Sequence, residues 1–180
     1  MTMVKKYERI DRQLVAKGSI IDYYHDIMKI PNGNTATWDF VNHKGAAAVV
    51  AVKPDGKVIM VRQYRNALER DTLEIPAGGL NADETMEQAA IRELKEETGF
   101  VAGEVSFLIS IRTTVAFCNE RIDIYLAKDL VPGKQHLDED EYVEIEEYPI
   151  EELIQMIYEG KIQDSKTVCA LMCYYHQYCR

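Results

Sequence analysis

Polar and apolar residues alternate along the first forty-odd positions, the pattern of strands that turn one face inward. It runs through Tyr7 to Leu14, Ser19 to Ile30 and Thr35 to Asn42. Pro31-Asn32-Gly33-Asn34 separates the last two, and Asn and Gly tolerate the positive φ that a hairpin turn requires. A small antiparallel sheet of three strands is expected. The pattern then changes: Ala46 to Val52 is almost continuously apolar, Pro54-Asp55-Gly56 turns the chain, and Val58 to Tyr64 returns. That is a buried β-hairpin. Thr72 to Ile75 is a short strand that leads into the glycine-rich turn Pro76-Ala77-Gly78-Gly79.

Further on, the period lengthens to that of a helix. The sequence predicts one over Met86 to Thr98, with Ala90, Ile91 and Leu94 as its core stripe. Thr85 is placed as N-cap, Gln88 completes a capping box, and Gly99 suits the left-handed position after the last turn. Val105 to Arg112, Ile122 to Ala127 and Tyr142 to Tyr148 read as strands. Ile150 to Tyr158 reads as a helix stopped by Gly160, and Asp164 or Ser165 caps a final helix toward Tyr178. Mixed strands with central and terminal helices predict an α/β sandwich. The expected division is an N-terminal β-sheet subdomain at 1–44 and a larger domain at 45–180.

Composition narrows the function. A chain of 180 residues, 47% hydrophobic and 28% charged, has the make-up of a globular protein with a sizeable core. Its net charge of −9 argues against nucleic acid as main partner, since phosphate backbones are bound by basic surfaces. Any anionic substrate would need metal ions and local arginines to offset that charge. No apolar run is long enough to span a membrane, and the N-terminus lacks a signal-peptide core. The four cysteines have no zinc-type spacing, and Cys169 and Cys173 read as buried thiols on a helix. A cytoplasmic protein with reduced cysteines is expected.

The chemistry is concentrated in the central helix. Glu93, Glu96 and Glu97 fall within five residues, with Glu93 and Glu97 as i,i+4 neighbours. Like charges so close repel, and a divalent cation removes the penalty. A bare run of this kind is more often a solvated acidic face. Here it is accompanied by Gly78, Glu84, Arg92, Leu94, Gly99 and Phe100 at fixed spacings. Together these match the Nudix box at every position, and the chain resembles that family. The resemblance implies a hydrolase of a nucleoside diphosphate linked to another moiety, on an α/β/α sandwich with a mixed sheet. It implies Mg²⁺, with Mn²⁺ as the alternative, held by Glu93, Glu97, Glu96 and the Ala77 carbonyl. Arg92, four residues before Glu96, is expected to pair with and orient it. Glu84 precedes the helix and is expected to hold the loop.

A second layer of likeness concerns substrate. Val61-Arg62-Gln63-Tyr64-Arg65, Thr72-Leu73-Glu74-Ile75-Pro76-Ala77-Gly78 and Ala116-Phe117-Cys118-Asn119-Glu120 are similar to ADP-ribose pyrophosphatases. That resemblance places Arg65 on a phosphate and Glu74 at the site. It also places the general base in the acidic stretch 138–141, as Glu139 or Glu141, because a carboxylate on a mobile loop can reach the attacking water. The chain departs from that group at Val115, where a proline is usual, and at Trp38-Asp39, where an arginine often precedes the acid. Trp38 is expected at a dimer interface or in the core, with stacking on a purine as the alternative. Similar enzymes are homodimers with swapped N-terminal sheets, and the first three strands fit that arrangement. The expected reaction is ADP-ribose to AMP and ribose 5-phosphate. The alternatives are another nucleoside diphosphate sugar such as GDP-mannose or ADP-glucose, a non-catalytic sensing module, or an isomerase of the same fold.

Overall fold

A computed structural model of the protein describes residues 6–137, 139 and 141–179. Among them the chain forms ten strands and three helices. Two compact units result: one runs to Gly45 and takes in Arg112–Arg121, and the other holds the remainder from Ala46.

The first unit is an antiparallel sheet of β1 (Glu8–Lys17), β2 (Ile21–Lys29) and β3 (Thr35–His43), in that order. The turn between β2 and β3 is the expected one, with Gly33 at φ 92°. Register sets Arg12 opposite Asp26 and Asp26 opposite Trp38, with Leu14, Tyr24 and Phe40 in the next row. Arg12 grips Asp26 through two bonds of 2.6 Å and lies 3.6 Å from the centre of the Phe40 ring. This paired charge and cation–π contact tie the strands together. Leu14 and Trp38 remain exposed on that face. Arg112–Arg121 runs beside β3, where the Val41 amide donates to Phe117 O at 2.7 Å and the His43 amide to Asn119 Oδ1 at 2.8 Å. Val115, where the usual proline is missing, is exposed.

The second unit is built on a mixed sheet. β4 (Ala46–Val52) lies in its middle, antiparallel to β5 (Lys57–Arg65) at one end and to β7 (Ala77–Gly79) at the other, and parallel to β9 (Arg121–Lys128) along its length. β6 (Arg70–Glu74) pairs with β5, β8 (Glu104–Arg112) follows β9, and β10 (Val143–Pro149) closes the far edge against β5. The segment expected as a turn at Pro76–Gly79 is therefore partly a strand. Three residues without large side chains are too short a run to show a period of two.

Helix α1 (Met86–Thr98) covers one face of the sheet, and α2 (Ile150–Tyr158) and α3 (Ser165–Tyr178) cover the other. Alternation along β4 feeds both cores. Ala47, Val49 and Ala51 face Ala89, Ala90 and Leu94 of α1, while Ala48, Val50 and Val52 pack with Leu153, Ala170 and Leu171. Alanine on both sides of the first interface lets α1 lie close to the sheet. The caps form as expected: Thr85 and Gln88 make the capping box, Gly99 is left-handed at φ 74°, and Asp164 caps α3.

Two expected burials fail. Ile91 is 39% exposed, because with Gln88 and Lys95 it lies on the flank of α1, one step off the Ala90–Leu94 face. Cys169 is exposed and Cys173 half-buried, because α3 buries the face of Lys166, Thr167, Ala170, Leu171 and Tyr174. The four thiols are free.

Candidate active site

Two clusters of acidic and basic side chains lie in the second unit. The first belongs to α1. Its sequence places carboxylates one turn apart, and β7 brings backbone against them. The Ala77 amide donates to Glu97 Oε2 at 3.0 Å. A side chain at Gly78 would overlap the Glu93 carboxylate, so only glycine lets the strand pass this close. Glu97 is 3% exposed and Glu93 is also buried.

Arg92 is the hub of the arrangement. Its guanidinium takes both oxygens of Glu84 at 2.8 and 2.9 Å, Glu93 Oε1 at 2.7 Å, Glu96 Oε2 at 2.8 Å and the Gly79 carbonyl at 2.8 Å. The expected pairing with Glu96 is present, and the sequence missed the other three contacts. Glu84 holds the Asn81 amide at 3.0 Å, which fastens the loop before the helix. The multiple carboxylates raise the Arg92 pKa further.

Electrostatics separate the three box glutamates. Burial pushes the Glu97 carboxyl up to about 8, and the neighbouring charges of Glu93 and Glu141 add to it. Burial raises Glu93 as well, against the pull of Arg92, with Glu96 and Glu141 adding to the rise. Glu96 is more exposed and paired to Arg92. Of the two candidate glutamates, Glu141 is the one whose charge bears on both buried carboxylates, while Glu139 sits in an exposed turn. Asp138 and Asp140 lie outside the described residues.

Among the described residues no three acidic, His or Cys side chains converge on one point. The structure brings together Glu93, Glu97 and the Ala77–Gly78 backbone, with Glu96 turned to Arg92. That donor set suits a hard divalent cation: buried carboxylate oxygens that burial and mutual repulsion disfavour as anions, beside the backbone of β7. A cation between them would reverse both effects. The residues fit the group.

The second cluster surrounds Glu74, at the end of β6. Its carboxylate, 2% exposed, accepts from Arg65 Nε at 2.7 Å, Arg65 Nη2 at 2.6 Å, Thr72 Oγ1 at 2.6 Å and Lys166 Nζ. Burial alone would raise its pKa, but Arg65 and Lys166 win and hold it at about 2. Lys166 also bonds Asp164 at 2.9 Å, and Asp164 caps α3 through the Thr167 amide at 3.0 Å. These residues line a cavity of about 350 Å³ together with Arg70, Lys161 and Gln163. The sequence singled out Arg65 and Glu74 but missed Lys166, Thr72 and Asp164. The one available signal was the cap pattern Asp164-Ser165-Lys166-Thr167, which gives no hint that its lysine turns inward.

Trp38 belongs to the first unit, 45% exposed on β3, with the Tyr7 ring 5.6 Å away. It is not a core residue, which leaves the interface and stacking readings.

A family model described as NUDIX domain matches residues 42–171. The chain is 38% identical to an ADP-ribose pyrophosphatase of Bacillus subtilis over 164 residues, covering 90% of this chain and 89% of that protein. It is 40% identical to a methanol dehydrogenase activator of Bacillus methanolicus, with the same coverage. In fold it resembles a solved ADP compounds hydrolase, with a TM-score of 0.86, 23% identity, and 98% and 96% of the two chains covered.

Proposed function

This chain belongs to the NUDIX family, and from that premise we propose that it hydrolyses ADP-ribose to AMP and ribose 5-phosphate with Mg²⁺ as its ion. It is a divalent-metal-dependent Nudix pyrophosphohydrolase. The observation that carries the reading is the pair Glu93 and Glu97, buried against the Ala77–Gly78 strand, with no salt bridge to Glu97 among the described residues. The choice of ADP-ribose rests on the similarity to the Bacillus subtilis enzyme across nearly the whole chain.

Glu93 and Glu97, with Glu96 and the Ala77 carbonyl, would hold the ion. When bound, such an ion lowers the pKa of water and offsets charge on phosphoryl oxygens. Arg92 keeps Glu84, Glu93 and Glu96 in place through its five bonds. Arg65 supplies positive charge for a phosphate, and Glu74 aims it from below, its own oxygens being occupied by Arg65, Thr72 and Lys166. Glu141 takes the proton of the attacking water. We favour it over Glu139 because its charge is the one felt by both buried carboxylates.

A homodimer and a cytoplasmic setting complete the proposal. The half-exposed face of Leu14, Tyr24, Trp38 and Phe40 on the three-stranded sheet suits a partner surface, since such a sheet gains stability by packing. The test is product analysis after incubation with ADP-ribose, GDP-mannose, ADP-glucose and NADH, with Mg²⁺ or Mn²⁺. AMP and ribose 5-phosphate from ADP-ribose, at the highest kcat/KM of the panel, is the expected result. No preference for ADP-ribose overturns the substrate assignment.

A further inference from the structure

The C-terminal end of α1 has a second function in the structure beyond carrying Glu96 and Glu97. The last carbonyls of a helix have no partner within it and must find donors elsewhere. Here the Gly99 amide takes Lys95 O at 2.9 Å, the His136 amide takes Glu96 O at 2.9 Å, and the Gln135 side chain takes Glu97 O at 2.7 Å. Two of the three donors come from the segment that precedes the acidic stretch. Glycines make this approach feasible: a Cβ on Gly99 would stand 2.8 Å from Gln135 N, and one on Gly133 would stand 2.6 Å from Gly99 O. The segment is also pinned just upstream, where Val101 and Val131 exchange amide bonds of 2.9 and 2.8 Å.

Gln135 does more than cap. The same Nε2 that donates to Glu97 O also reaches Val143 O at 3.3 Å, at the first residue of β10. One side chain therefore joins three things: the end of the metal-binding helix, the entry to the acidic stretch, and its exit. Glu141 lies between the two anchored ends, two residues before Val143. An amide group is suited to this task, because its two N–H donors can serve two carbonyls at once.

We propose that Gln135 is a positioning residue that ties the start of β10 to the end of α1, so that Glu141, two residues before Val143, is held toward the water that attacks the pyrophosphate. The proposal rests on Glu141 being the general base. It assigns Gln135 no contact with substrate or ion. Loss of its donors would leave the binding groups in place and lower the fraction of time that Glu141 is in reach, which acts on kcat and leaves KM alone.

The experiment is a double-mutant cycle in the full-length protein with ADP-ribose and Mg²⁺, using Q135M, which keeps the volume and removes the donors, with Q135A beside it. E141Q is expected to lower kcat ~10²-fold or more, as loss of a general base does. Q135M is expected to lower kcat ~10-fold with KM within ~2-fold. In the E141Q background, Q135M is expected to cost no further activity, since the two act through one group. A Q135M loss that multiplies with that of E141Q, a loss that falls on KM, or an unchanged kcat in both Q135M and Q135A overturns the positioning role while leaving Glu141 as base. An unchanged kcat in E141Q overturns the base assignment and the positioning role with it.

Discussion

Glu74 and Glu97 are withdrawn from solvent to the same degree, at 2% and 3% exposure, yet one carboxyl is held at about 2 and the other at about 8. The difference lies in what faces them. Glu74 has Arg65, Lys166 and Thr72 around it, so its charge is matched within the fold. Glu97 has the Ala77 amide, the repulsion of Glu93 and Glu141, and only a weaker pull from Lys166 at a distance. One cluster is complete as folded. The other keeps two buried carboxylates whose charge the fold leaves largely unmatched, the state that an added cation would relieve.

The largest test of this contrast is E97Q. Its kcat/KM is expected to fall ~10³-fold or more, as when an ion that activates water is lost. Without metal, its thermal midpoint is expected to equal or exceed that of the parent, since a buried charge with little compensation has been removed. Adding Mg²⁺ should raise the midpoint of the parent and leave E97Q unmoved. A lower metal-free midpoint in E97Q would erase the contrast.

K166M breaks the matched cluster from the other side. It leaves Asp164 and part of Glu74 without their cation, and urea unfolding is expected to show a loss of about 3 to 4 kcal/mol. Of the two substitutions, only K166M is thus expected to lower the metal-free stability.

Acid supplies a third test. The folded value of Glu74 lies below its ordinary 4.5, so its contribution is full above about pH 4.5 and is lost as pH falls through 2. The amount is about 3 kcal/mol. E74Q should lack that part of the pH dependence, read from unfolding free energies between pH 4.5 and 2. T72V, which removes one neutral donor from Glu74, should cost about 1 kcal/mol. A larger effect there would mean that Thr72, rather than the two cations, sets the state of the cluster.

The two clusters were also unequally legible in the sequence. The α1 cluster is local: Arg92, Glu93, Glu96 and Glu97 sit within one and a half turns, so helical geometry alone predicts their neighbourhood. Thr85, Gly99 and the bounds of α1 followed from capping chemistry for the same reason. Glu74 and Lys166 are 92 residues apart, and Gln135 and Glu97 are 38 apart. No period or motif links such pairs, because their meeting depends on how α3 and the segment before β10 pack on the sheet. The missed Ile91 and Cys169 have the same origin. Both carry apolar side chains at helical positions, and only the packed direction of the helix decides which flank is inward. Glu139 and Glu141 could not be separated from composition, since each is an acid in an acidic run.

The alanines between α1 and β4 have a consequence for how this enzyme can change over generations. Ala47, Ala51, Ala89 and Ala90 line the interface between α1 and β4, and their methyl groups set how far the helix stands from the strand beneath it. A single added methyl at one of these spacers would lift the whole helix and widen the gap to β7 without touching a ligand. Activity can thus be lost by a change at a position that touches neither charge cluster, through the spacing of α1 alone.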